Sequence, residues 1–231
     1  MINQILEKVK VKYPLTEVDV GEFAKLKANG MNFTVQSYKA EGLGHISVMR
    51  AVGFFGLMRM DTLIINPVQR DLPLYSYDRI FAMGNDTLIV ELYDTFVGED
   101  GKDADCPQTM ARNSMAELSK VKNEFLSLPE RDPGQHWYDS IKLPESISKK
   151  GKKTQTSAMD ELTLKHFDAY LSAPAIVVER EQEKALKMKK AAAYVNGLLG
   201  KGGPSTDVFL KAFGAEKTDR LFKDVLFGIS D

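Results

Sequence analysis

The chain has 231 residues, 43% hydrophobic and 27% charged, with 31 basic against 32 acidic side chains for a formal net charge of −1. One domain of this length buries most of its unfolded-chain surface without covalent staples, and its balanced charge supplies no global field for nucleic acid or an anionic membrane. Cys106 is the single cysteine, which excludes an intrachain disulfide and any multi-cysteine metal or iron–sulfur centre. No apolar run approaches the ~20 residues of a membrane span. Glu7, Lys8, Lys10 and Lys12 interrupt the first apolar stretch, so it lacks a signal-peptide core. A monomer in the cytosol is the default expectation.

Ile2, Ile5, Leu6 and Val9 recur at helical spacing and predict a first helix. Residues 20–28 read as a second, short helix stopped by Asn29-Gly30. From Met31 the period becomes two: Phe33, Val35 and Ser37 alternate with Asn32, Thr34, Gln36 and Tyr38. Residues 46–65 are rich in β-formers, with Gly53 and Gly56 as expected bulges. Pro67 and Pro73 bracket a turn, strand texture resumes at residues 74–83, and Gly84-Asn85-Asp86 is a hairpin turn before a mostly apolar strand at 87–93. Four or five strands in succession without intervening helices imply an antiparallel sheet.

After a loop at residues 98–107 the period returns to that of a helix, with Met110, Met115, Leu118, Val121 and Phe125 on one stripe. Residues 129–156, with Lys149, Lys150, Lys152 and Lys153 around Gly151, read as a polar surface excursion. Ser157 and Asp160 form a candidate capping box for a helix reaching about Ser172. A longer helix from about Val178 gathers Met188, Ala191, Val195 and Leu198 on one side. Pro204-Ser205 opens a short helix that Gly214 stops, and Leu221, Phe222, Val225 and Leu226 mark a last one. Helices flank the strand block on both sides in sequence. The expected fold is therefore mixed α/β (α+β): one domain over residues 1–231, a three-layer α/β/α sandwich around a mainly antiparallel sheet.

Few motifs carry chemistry. Gly42-Leu43-Gly44-His45 opens like a dinucleotide fingerprint, but strand residues follow it where the phosphate-binding helix would have to start. His45, His136 and His166 have no zinc spacing, and no metal is expected. Cys106 has no paired histidine in sequence to make it a nucleophile.

The segment Asp71-Leu72-Pro73-Leu74-Tyr75-Ser76-Tyr77-Asp78 resembles the Asp-Leu-Pro-(apolar)-Phe-Gly-x-Asp run of the ferredoxin-dependent bilin reductases. The C-terminal stretch is similar to that family's ending: Lys211-Ala212-Phe213-Gly214, then a close on Val225-Leu226-Phe227. The order of elements between the two motifs also fits, including a loop with a tryptophan, Trp137. The resemblance spans roughly residues 30 to 231 and marks a divergent member. Asp61 stands where the family has a pigment-facing histidine, Ser76 replaces a glycine, and Gly202 and Pro204 replace a propionate-side Asn and Lys.

The resemblance implies a central antiparallel sheet between helices, no resident metal or flavin, and a linear tetrapyrrole held between the sheet and the C-terminal helices. Electrons would arrive singly from reduced ferredoxin or flavodoxin, docking on lysines at 149–153 or 184–190. Asp78 takes the place of the family's proton-donating aspartate. A carboxyl beside a large conjugated ligand loses hydration and its pKa rises, which suits a general acid. Asp61 and His45 are secondary catalytic candidates. Arg59, Arg79 and Lys201 are candidates for neutralising propionates. A pigment carrier without chemistry is the alternative, because several family residues are missing.

Overall fold

The computed structural model describes residues 1–97, 115–203 and 205–230. Cys106, Met110, Pro204 and the expected loop at 98–107 lie outside the described residues. The centre is an eight-stranded antiparallel sheet: β1 (Leu15–Val18), β2 (Lys25–Ala28), β3 (Met31–Ala40), β4 (Gly44–Gly53), β5 (Met58–Asn66), β6 (Leu74–Ala82), β7 (Asn85–Tyr93) and β8 (Ile147–Lys152). Its order is β1-β3-β4-β5-β6-β7-β8, with β2 also paired to β3. Both faces are covered, so the α/β/α sandwich read from the sequence is the observed fold.

Period-two alternation divides the strand residues between two cores. Ile46, Val48, Leu63, Tyr75, Tyr77, Leu88 and Val90 pack on one face against helices α1 (Ile2–Lys12), α2 (Ala116–Glu124) and α3 (Thr156–Ser172). Phe33, Val35, Met49, Ala51, Ile64 and Tyr93 pack on the other. There they meet α4 (Glu181–Lys201), α5 (Thr206–Phe213) and a π-helical turn, Leu221–Leu226, which follows directly on α6 (Ala215–Arg220).

The two motifs that carry the resemblance are structural ties between these layers. Lys187 of α4, fully buried, donates to the Leu72 carbonyl at 2.8 Å and the Thr95 carbonyl at 3.0 Å, with the Asp71 carboxylate 3.4 Å away. Burial lowers its pKa to about 8, even though Asp71 favours the charge. On the opposite side, the Tyr170 hydroxyl of α3 donates to the Pro73 carbonyl at 2.9 Å. Asp71-Leu72-Pro73 is thus fastened to helices of both outer layers. At the C-terminus, the carbonyls of Val225, Leu226 and Phe227 accept hydrogen bonds from Ser37, His45, Ser47 and Asn66 on the sheet. These pairings satisfy carbonyls that a π-turn end would otherwise bury without partners.

Several sequence expectations are corrected. Residues 20–28 are not a helix but a 3₁₀ turn, Gly21–Phe23, followed by β2, where Leu26 and Ala28 are buried and Lys25 and Lys27 exposed. Asn29-Gly30 is therefore a hairpin turn, with the positive φ that such turns require. The polar stretch at 129–156 contains β8, whose inward residue Lys149 hid the strand pattern. Lys149 is buried because its ammonium meets Glu130 at 2.5 Å and the Leu128 carbonyl at 3.1 Å. The β6–β7 turn is Met83-Gly84, leaving Asn85 and Asp86 in β7. Gly53 ends β4 rather than making a bulge, since a Cβ there would come within 2.5 Å of Met31. Ser157 caps nothing: α3 starts one residue earlier, and Asp160 instead reaches Arg79 at 3.3 Å.

Candidate functional site

Between the sheet and the C-terminal layer lies an open cavity of about 290 Å³, joined to a smaller chamber of about 80 Å³. Asp78, Glu91, Tyr138, Ser205 and Phe209 line both. Met31, Phe33, Met58, Met60 and Ile80 make the larger chamber's floor apolar, with Arg131 and His136 on its wall.

Asp78 sits mid-strand on β6, opposite Thr62 of β5 and Ile89 of β7. Thr62 Oγ1 donates to Asp78 Oδ1 at 2.5 Å, and among the described residues no Lys or Arg pairs with the carboxylate. Burial lifts its pKa from the usual 3.8 to about 6; the Thr62 bond opposes the rise and the charge of Glu91 adds to it. Glu91 lies diagonally across, on the same face of β7, in a different setting. It accepts from the Tyr93 hydroxyl at 2.6 Å and has the Lys142 ammonium 3.8 Å away. Two carboxyl groups on one wall are thereby given unlike surroundings.

Aromatic rings close the deep end. Tyr93 stacks on Tyr194 of α4 at 4.1 Å, and Tyr138 meets Tyr93 edge-on at 5.7 Å. Burial raises the phenol pKa of all three, so they remain neutral donors. The His136 ring stacks on Tyr138 at 4.8 Å, and its Nδ1 is 3.9 Å from the Asp139 carboxylate. Trp137 holds this loop in place: its indole N–H donates to the Gly202 carbonyl at 3.1 Å, and its ring fills the space where a Cβ on Gly197 would come within 2.1 Å.

Of the six residues singled out from the sequence, Asp78 alone lines the cavity. Asp61 points to the opposite face, at a register position between Arg50 and Arg79. Arg79 shares that face and is fully buried, held by Asp86 through bonds of 2.5 and 2.6 Å; it is committed to a structural ion pair and unavailable to a ligand. Arg59 lies on the same far face, exposed, with its guanidinium over the Phe81 ring at 5.5 Å. His45 is wedged against Gly228 with Nε2 2.8 Å from the Val225 carbonyl, and burial lowers its pKa. Lys201 ends α4, with its ammonium over Trp137 at 5.1 Å, outside the lining. The expected docking lysines are also thinned, because Lys149 and Lys187 are buried in ion pairs.

Glu91, Arg131, His136 and Tyr138 were missed. Three of them belong to the stretch taken for a surface excursion. Its one available signal was the aromatic pair Trp137-Tyr138 in otherwise polar sequence, which needs a place to be buried.

No protein-family model matches the chain, and no curated protein matches it. Among solved structures it is similar to phytochromobilin synthase from tomato in complex with biliverdin. The TM-score is 0.78 at 13% identity, over 99% of this chain and 82% of that one. The chain has the fold of that enzyme.

Proposed function

We propose that this chain binds a linear tetrapyrrole in the two-chambered cavity and reduces it with single electrons from ferredoxin or flavodoxin, Asp78 supplying a proton. Reduction of one double bond takes two electrons, one from each of two donor molecules, and two protons, one delivered by Asp78, which is reprotonated from water, and the other taken from water. The observation that carries this reading is the Asp78 carboxyl: it lines the cavity, accepts from Thr62, pairs with no Lys or Arg among the described residues, and burial lifts its pKa to about 6. At pH 7 roughly one molecule in ten then holds the proton, and a ligand that excludes water raises that fraction further. Two further facts support it: the sequence motif that ends in Asp78, and a fold shared with a protein solved with biliverdin. Arg131 is the wall residue suited to a propionate, since guanidinium bonds carboxylate in a fork. The two chambers together sit at the low end of the ~300–1,000 Å³ that ligand pockets usually span.

The test is spectroscopic. Biliverdin should give a stoichiometric complex with a shifted, sharper long-wavelength band, and reduced donor should convert it. Asp78→Asn keeps shape and hydrogen bonding but has no acidic proton. Binding should survive, the protonation step should slow by ~10²-fold or more, and a pigment radical should accumulate. Unchanged spectra on adding biliverdin refute binding; wild-type turnover by the variant removes Asp78 from the mechanism. A second reading, carriage without reduction, is favoured by His45 and Asp61 lying away from the cavity; a bound pigment inert to reduced donor would establish it.

A further inference from the structure

Seven strands end in one row. The cross-strand pairs Ala28–Met31, Met31–Gly53, Gly53–Met58, Met58–Ala82, Ala82–Asn85 and Asn85–Lys152 follow one another across the sheet. The turns at Asn29-Gly30, at residues 54–57 and at Met83-Gly84 therefore project side by side, over a width of about 29 Å at ~4.8 Å per strand.

The residues on these turns are unusual for turns. Phe54, Phe55 and Met83 have φ of 51°, 55° and 51°. That left-handed region suits Gly, Asn and Asp and is sterically costly for bulky side chains. Burial does not offset the cost: Phe55 is fully exposed, Met83 is 95% exposed and Leu57 73%.

The charge around them has one sign. Lys27, Arg59, Lys152 and Lys153 are exposed, while residues 25–33, 51–60, 79–85 and 149–155 contain no Asp or Glu. These four segments thus present exposed cations beside projecting apolar tips, and the nearest exposed carboxylate, Glu130, is paired with Lys149. The same end is the cavity mouth, since Asn29, Phe54 and Met58 line it. Separate convex tips match a yielding apolar medium better than the fixed pockets of a protein, and the cations match anionic headgroups.

We propose that this end of the sheet docks on an anionic lipid surface, with Phe55, Leu57 and Met83 entering the boundary between headgroups and acyl chains. Lys27, Arg59, Lys152 and Lys153 meet the lipid charges, and the cavity mouth then faces the bilayer. Docking of this kind needs no membrane-spanning helix and goes beyond the tetrapyrrole reading; its test uses no pigment, so either can fail alone.

The experiment is cosedimentation with phosphatidylserine–phosphatidylcholine vesicles and with pure phosphatidylcholine vesicles. The wild type should bind the anionic vesicles at least ~10-fold better and release them at high salt, because headgroup attraction is screened. The double variant Phe55→Asn with Met83→Asn places turn-forming residues at the two most exposed of the three strained positions. Its melting temperature should hold or rise, while vesicle binding falls at least ~10-fold as apolar insertion is lost. Failure of the wild type to bind anionic vesicles, or equal binding by a folded double variant, overturns the proposal. Binding of an acidic protein such as ferredoxin at this end without any vesicle binding overturns it too.

Discussion

Replacing Asp78 with Asn should stabilise the ligand-free protein at neutral pH, by an amount that depends on pH in a defined way. The folded-state pKa of about 6 lies above the usual 3.8. The native state therefore holds the proton more tightly than the unfolded chain. The stability this contributes is fully present below about pH 4 and is lost as pH rises through about 6. At ~1.4 kcal/mol per pH unit the loss approaches ~3 kcal/mol above pH 7, an upper figure because part of Asp78 faces the open cavity. Asparagine keeps the acceptor for Thr62 and carries no charge to bury. Urea melts at pH 4 and pH 8 should show the two proteins' stability difference growing by up to ~3 kcal/mol in favour of the variant. Near ~2–4 °C per kcal/mol for a chain this size, that is roughly 6–12 °C in melting temperature. All other titrating groups are common to both proteins and cancel in the difference. A stability difference independent of pH would refute the raised pKa, and with it the physical basis for Asp78 as an acid.

Three further outcomes follow from the same geometry. Arg79→Met leaves Asp86 buried without its main partner and should cost ~3–5 kcal/mol in urea melts while leaving pigment affinity in the surviving folded fraction unchanged; a loss of affinity alone would return Arg79 to the ligand. Lys187→Met removes the cation beside buried Asp71, which keeps only the Val97 amide, and a donor from the Leu72 and Thr95 carbonyls, for a similar ~3–5 kcal/mol, and pairing it with Asp71→Asn should recover part of that in a double-mutant cycle. Arg131→Ala should weaken binding of a pigment with free propionates by ~10–100-fold, the worth of a hydrogen bond to a charged group, and leave its dimethyl ester unaffected, as read by absorption titration.

The sequence carried the layer plan and the central carboxyl. Alternation in β3 to β7 and the helical stripes on either side of them reported burial on both sheet faces, because side-chain period follows directly from backbone geometry. The run from Asp71 to Asp78 singles out Asp78 by resemblance, and Asp78 lines the cavity, on the face opposite buried Tyr77 as strand parity requires. Parity applied further would have separated Asp61, Arg59 and Arg79 from Asp78, but pairing register between strands is a long-range property that no local pattern states. The same limit explains Lys149 and Lys187, which look like solvated charge in sequence and are buried because a carboxylate or carbonyl from a distant segment meets each one. Tertiary structure alone decided that Arg131 and His136 share a wall with Asp78 and Glu91, because the loop that carries them is held over the β6–β7 pair by Trp137, packed against Gly197 and bonded to Gly202.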